Sequence, residues 1–187
     1  HGIQCEGVSI DVVAMQARKD DVVKTLTKGI GGLFKKNKIT FVPGTARLAG
    51  DKQVEVTAQD GKQQQLTADN IIIATGSVPA QIPVAPTDGQ FIVDSTGALA
   101  FDSVPKRLGV IGAGAIGLEL GSVWSRLGSQ VTILEALPDF LAMADRKIAA
   151  AAQRELKKQG LTLQLGANVT AATVANDEVT VTYQDKK

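Results

Sequence analysis

The chain has 187 residues, 44% hydrophobic and 21% charged, which allows one large domain or two small ones around a real core. Its 20 basic residues nearly balance 19 acidic ones, so there is no electrostatic footprint for nucleic acid or an anionic membrane surface. One cysteine, Cys5, and one histidine, His1, leave no means in this chain for an intrachain disulfide, a Cys-rich zinc site or a Ser-His-Asp arrangement, so neither a metal nor a catalytic residue is assigned.

In chain order, residues 11–37 come first. Val22, Leu26, Ile30, Leu33 and Phe34 draw one apolar stripe along a predicted helix, which closes on Lys35, Lys36 and Asn37 as C-cap. Gly29, Gly31 and Gly32 each disfavour that helix by about 1 kcal/mol relative to Ala, so packing or a close neighbour must hold it. Short strands are expected at 38–42, 53–58 and 63–67, the last two joined through Asp60-Gly61, which makes a β-meander. Residues 70–77, NIIIATGS, read as a strand buried on both faces that delivers its C-terminal end to a ligand. A proline-rich passage at 79–86 marks a boundary, giving domains 1–84 and 85–187.

The second half alternates strand and helix. Strand 107–111 leads to a glycine turn and a helix from Ala115 to Gly128; strand 130–134 ends at Glu135; a helix with Asp145 as N-cap ends at Gly160. Strands at 161–165 and 169–174, a turn at Asn176-Asp177 and a strand at 179–183 complete it, and the βαβαβ order predicts an α/β fold with a parallel sheet. No nearly uncharged stretch reaches the roughly 20 residues of a membrane helix and no signal-like segment opens the chain, so a cytoplasmic location is expected.

Gly112, Gly114 and Gly117 stand in a G-x-G-x-x-G frame. In a chain with 19 glycines that frame alone is weak, but here it follows an apolar strand, opens a helix and precedes Glu135 at the next strand end, 18 positions after Gly117. The three glycines serve different physical ends. Gly112 permits the tight turn, Gly114 allows backbone to approach a pyrophosphate, and Gly117 allows helix and strand to pack closely. The anion would rest on the helix N-terminal amides, making Gly112, Ala113, Gly114, Ala115, Ile116, Gly117 and Leu118 the candidate dinucleotide site. The competing reading is a nucleotide-free α/β core with packing glycines. A carboxylate at Glu135 can accept both hydroxyls of an adenosine ribose and would repel a 2′-phosphate, and residues 136–145 hold no Lys or Arg before Arg146, which favours NAD over NADP. Its alternative is a solvated strand-end carboxylate. Glu119, about 200° around the helix from Gly117, points away from the sheet and from the residues alone reads first as a carboxylate facing the helix dipole.

The segments KKNKITFVPGTA, DNIIIATGSVP, DSTGAL, GVIGAGAIGLELGSVWSRLGSQVTILEA and KKQGLTLQLGANV together resemble the dihydrolipoamide dehydrogenases of the flavin-dependent disulfide reductase family, over essentially the whole chain. That resemblance implies a Rossmann-like NAD-binding domain preceded by part of an FAD-binding domain. It implies a homodimer passing electrons from dihydrolipoamide, carried on the acyltransferase core of 2-oxoacid dehydrogenase complexes, through a redox disulfide and FAD to NAD. It further implies that the backbone near Ala46 approaches the FAD adenine, Thr75, Gly76 and Ser77 lie against the flavin cofactor, Glu119 sits near the nicotinamide and Val169 near the NAD adenine. Ala46 stands where close relatives usually carry Gly.

The family's N-terminal glycine fingerprint, its C-x-x-x-x-C pair and its C-terminal dimerisation domain are not found in these residues. The expectation is therefore roughly the middle 40% of a subunit, competent by itself at most for nucleotide binding, with Cys5 given no redox role. Two alternatives stay open: part of another NADH-linked flavoprotein disulfide reductase, and a stand-alone non-catalytic nucleotide-binding module.

Overall fold

The computed structural model describes residues 6–185, which fold as two compact units: Ala17–Val78, and the residues before Ala17 together with those from Pro79 onward.

Helix α1 (Val12–Lys36) starts where Asp11 Oδ1 accepts the Ala14 N–H at 2.9 Å. It ends in a Schellman motif, with Ile39 N–H bonded to Phe34 O at 2.9 Å and Lys38 N–H to Lys35 O at 3.2 Å. Phe34 and Phe41 then pack with ring centroids 6.0 Å apart. The apolar stripe is present, yet no residue of α1 is buried and Leu26 stays 64% exposed, so among the described residues the two end motifs, rather than core packing, define the helix. Strands β1 (Thr45–Gly50), β2 (Gln53–Thr57) and β3 (Gln63–Thr67) form an antiparallel meander centred on β2, whose Val56 is buried. The turn between β2 and β3 closes through Ala58 N–H to Lys62 O and Gly61 N–H to Ala58 O.

Two expected strands are absent among the described residues. Residues 38–42 are irregular because Lys38 takes φ +56° as the left-handed residue of the helix-closing motif, and the first strand starts only at Thr45. Residues 70–77 are irregular as well. A strand exists only through a ladder, no described strand pairs with this segment, and Ile72 and Ile73 are 90% and 69% exposed rather than buried on both faces.

In the other unit, Asp94 caps the short helix α2 (Ser95–Ala98) by accepting the Gly97 N–H at 3.0 Å. Strands β4 (Arg107–Ile111), β5 (Gln130–Glu135) and β6 (Thr162–Leu165) form a parallel sheet in the order β4-β5-β6, in register from Arg107 opposite Gln130 to Ile111 opposite Leu134. The central strand is apolar on both faces, with Val131, Ile133 and Leu134 buried, as a covered parallel strand requires. Helix α3 (Ala115–Arg126) links β4 to β5 and lays Leu118, Gly121 and Trp124 inward; Trp124 Nε1–H donates to Ala98 O at 3.1 Å. Helix α4 (Arg146–Lys158) is capped by Asp145, whose Oδ1 accepts the Lys147 and Ile148 N–H groups. The core gathers Ala113, Leu118, Val131, Ile133, Phe140, Ala149 and Leu161. Strands β7 (Ala167–Ala175) and β8 (Glu178–Asp185) add a separate antiparallel hairpin, turned at Asn176 and Asp177, both at positive φ as a type I′ turn demands.

Candidate dinucleotide site

The parallel register brings the C-terminal ends of β4 and β5 side by side, and the glycine turn leaves from that edge. Gly112 extends the ladder by one bond, donating its N–H to Leu134 O at 2.7 Å, then turns the chain at φ +100°. Gly117 sits five residues later on the inner face of α3. A Cβ there would overlap the Gly112 carbonyl oxygen and stand 3.1 Å from Val110 Cγ1, so the helix can approach β4 only without a side chain at this position.

Gly114 differs from both. It is the N-cap of α3 with φ −75° and ψ 176°, which any residue adopts, and a Cβ on it would meet no described atom within 4 Å. Neither strain nor packing within the protein requires glycine there. A side chain at Gly114 would instead fill the space in front of the helix, where no cap side chain bonds the first-turn amides of Ala115, Ile116 and Gly117. Those donors and the positive end of the dipole suit an anion. Ala113 and Leu118 are buried beneath this surface, while Ala115 and Ile116 are exposed on it.

Glu135 ends β5, half-buried, and its carboxylate is already engaged by backbone. Oε2 accepts the Ala113 N–H at 2.8 Å and Oε1 accepts the Leu137 N–H at 2.9 Å. A carboxylate offers about four acceptor positions, so about two remain for a ligand. Sequence reasoning missed these two bonds. The signal lay in strand register: with Ile111 opposite Leu134, Ala113 and Glu135 both fall just past the end of the ladder.

The remaining expected residues take no part in the hydrogen bonds just described. Glu119 is exposed, on the α3 face that lines a shallow hollow with Ser122, Val123 and Arg126, opposite Leu156 and Gln159 at the end of α4. Val169 is half-buried on β7 opposite Tyr183, outside the hydrogen bonds that join the turn to Glu135. In the Ala17–Val78 unit, Ala46 is exposed on β1 opposite Val56, and Thr75, Gly76 and Ser77 are exposed in the irregular segment, with Gly76 at φ +74°. Among the described residues no group of three or more His, Cys, Asp or Glu is placed to hold a metal ion, and no helix is long and apolar enough to cross a membrane.

The family model described as pyridine nucleotide-disulphide oxidoreductase matches residues 4–187. Over 186 residues the chain is 51% identical to a dihydrolipoyl dehydrogenase of Cupriavidus necator, covering 100% of this chain and 39% of the relative. It is 46% identical over 185 residues to the mitochondrial dihydrolipoyl dehydrogenase of Dictyostelium discoideum, covering 98% of this chain and 38% of that one. Among solved structures, LpdA from Mycobacterium tuberculosis has the same fold with a TM-score of 0.87 at 24% identity, over 96% of this chain and 40% of that structure. The chain thus spans about two fifths of the length of the proteins it matches, as the 39% coverage gives.

Proposed function

Since this chain belongs to the pyridine nucleotide-disulphide oxidoreductase family, we propose that the turn from Gly112 to Leu118 together with Glu135 binds NAD. The parent reaction proposed with it is oxidation of dihydrolipoamide with reduction of NAD, for which bound FAD would supply the electron carrier. The observation that carries the reading is Gly114, a glycine that nothing in the protein's own backbone or packing demands, in front of uncapped helix amides.

The residues act as follows. First-turn amides of α3 hold the pyrophosphate, Gly112 and Gly117 set the turn that aims them, and Glu135 accepts the adenosine ribose hydroxyls with its remaining lone pairs. Bound NAD supplies the two-electron acceptor. We assign Glu119 to the nicotinamide side and Val169 to the adenine side, and we assign Ala46 and the Thr75-Gly76-Ser77 segment to FAD. Ala46 is exposed and a Cβ on Gly76 would meet no described atom within 4 Å, which is compatible with that contact. Dihydrolipoamide on the acyltransferase core of 2-oxoacid dehydrogenase complexes, a homodimeric parent and a cytoplasmic setting belong to the same proposal. The relatives' names support the substrate; the name of the Dictyostelium discoideum relative carries the word mitochondrial.

Cofactor choice provides the test. Titrations of NADH and NADPH into the protein are expected to favour NADH by about 10- to 150-fold, the value of charge-assisted hydrogen bonds plus the repulsion of a 2′-phosphate. Glu135→Ala is expected to bring the ratio of the two affinities close to one. Equal affinity of the unaltered protein for both nucleotides contradicts the assignment of Glu135 to the ribose.

A further inference from the structure

Ala113 is 3% exposed and lies one residue beyond the last ladder bond, the one from Gly112 N–H to Leu134 O. Its own N–H therefore leaves the sheet before α3 begins at Ala115, and its acceptor is Glu135 Oε2. Without that carboxylate the N–H of a buried residue loses its partner. The other oxygen is tied to Leu137 N–H at the exit of β5. One side chain thus fastens the second residue of the glycine turn to the strand beside it, immediately before the uncapped first-turn amides of α3.

We propose that Glu135 is a positioning residue for the pyrophosphate cradle as well as a partner of the ribose, so that selectivity for the ribose and the shape of the phosphate turn depend on one carboxylate. This rests on the turn being the NAD site. Held by two backbone amides, the carboxylate is fixed in front of the ribose position and does not rotate aside to admit a 2′-phosphate. The role requires two acceptor oxygens on a three-bond reach. Glutamine offers one acceptor and turns an NH2 group toward the other amide, while aspartate is a methylene too short to span both.

The test separates the two roles with a probe that cannot use the ribose: NAD whose adenosine carries a 2′,3′-dideoxyribose. Glu135→Gln is expected to bind this analogue about tenfold more weakly than the unaltered protein does, because the cradle is no longer held. Equal binding of the analogue by both proteins overturns the proposal and leaves Glu135 a ribose ligand only. Amide hydrogen exchange without ligand tests the fastening independently of NAD. In Glu135→Gln the Ala113 amide is expected to exchange at least tenfold faster while Gly112, bonded within the ladder, keeps its rate. Unchanged exchange at Ala113 also overturns it. Failure of the NAD reading has a different signature: faster exchange at Ala113 in the variant, with neither NAD nor the analogue bound by the unaltered protein.

Discussion

Gly117→Ala is expected to destabilise the protein by about 3 kcal/mol and lower Tm by about 10 °C. Two effects compete. Alanine gains about 1 kcal/mol in helix propensity over glycine, which alone would stabilise α3. Against it, the new Cβ overlaps the carbonyl oxygen of Gly112, a backbone atom fixed by the turn, and sits 3.1 Å from Val110 Cγ1. Backbone cannot rotate away as a side chain can, so either α3 lifts from β4 or the turn opens, and the steric effect wins. Gly121→Ala supplies the contrast on the same helix face. Its Cβ would stand 3.2 Å from Ile133 Cδ1, the end of a side chain that can shift by a few tenths of an ångström, so the propensity gain and the packing loss should nearly cancel. Thermal unfolding of the two variants measures the difference. Equal Tm values for both would show that the helix does not approach the turn as closely as described.

Gly114→Val is expected to have the opposite profile: little effect on stability and loss of NADH binding by about 100-fold or more, the equivalent of losing several charge-assisted hydrogen bonds. The added Cβ meets no described atom within 4 Å, and φ −75° with ψ 176° lies in the region β-branched residues favour. Valine is a poorer N-cap than glycine, which limits the stability loss to about 1 kcal/mol. For a nucleotide the same methyl groups occupy the approach to the helix amides, and a pyrophosphate held roughly 2–3 Å further out forfeits its hydrogen bonds to them. NADPH should be lost equally, because the obstruction is at the phosphates and not at the ribose. Calorimetric titration of both nucleotides, beside the unfolding curve, measures this; retained NADH affinity in a folded Gly114→Val protein would remove the pyrophosphate from this turn.

Much of the 79–185 region was legible because each transition there has its own marker residue. Gly112 follows an apolar strand, Asp145 is an acceptor at the right distance before α4, and Asn176-Asp177 is a type I′ pair, so strands, caps and turns fell where the structure has them. The meander strands β2 and β3 were equally readable from their turn. The failures came where a local pattern depends on something outside the segment. The alternation at 38–42 has the look of a strand, but the helix-closing motif takes Lys38 into the left-handed region. The run at 70–77 has strand chemistry without a described partner strand, and Ile72 at 90% exposure records that mismatch. At the candidate site, the turn at Gly112, the close helix approach at Gly117 and the strand-end place of Glu135 were legible from spacing. The bond from Ala113 N–H to Glu135 was not, because it depends on the register between two strands and joins residues 22 apart in sequence.

Whether the turn after β4 binds NAD is tested most directly by amide chemical-shift mapping during a titration with NADH. The largest shifts are expected at Ala113, Gly114, Ala115, Ile116 and Gly117, with smaller ones at Glu135 and Leu137, all saturating together. Shifts that saturate elsewhere while these amides stay unmoved would contradict NAD binding at this turn.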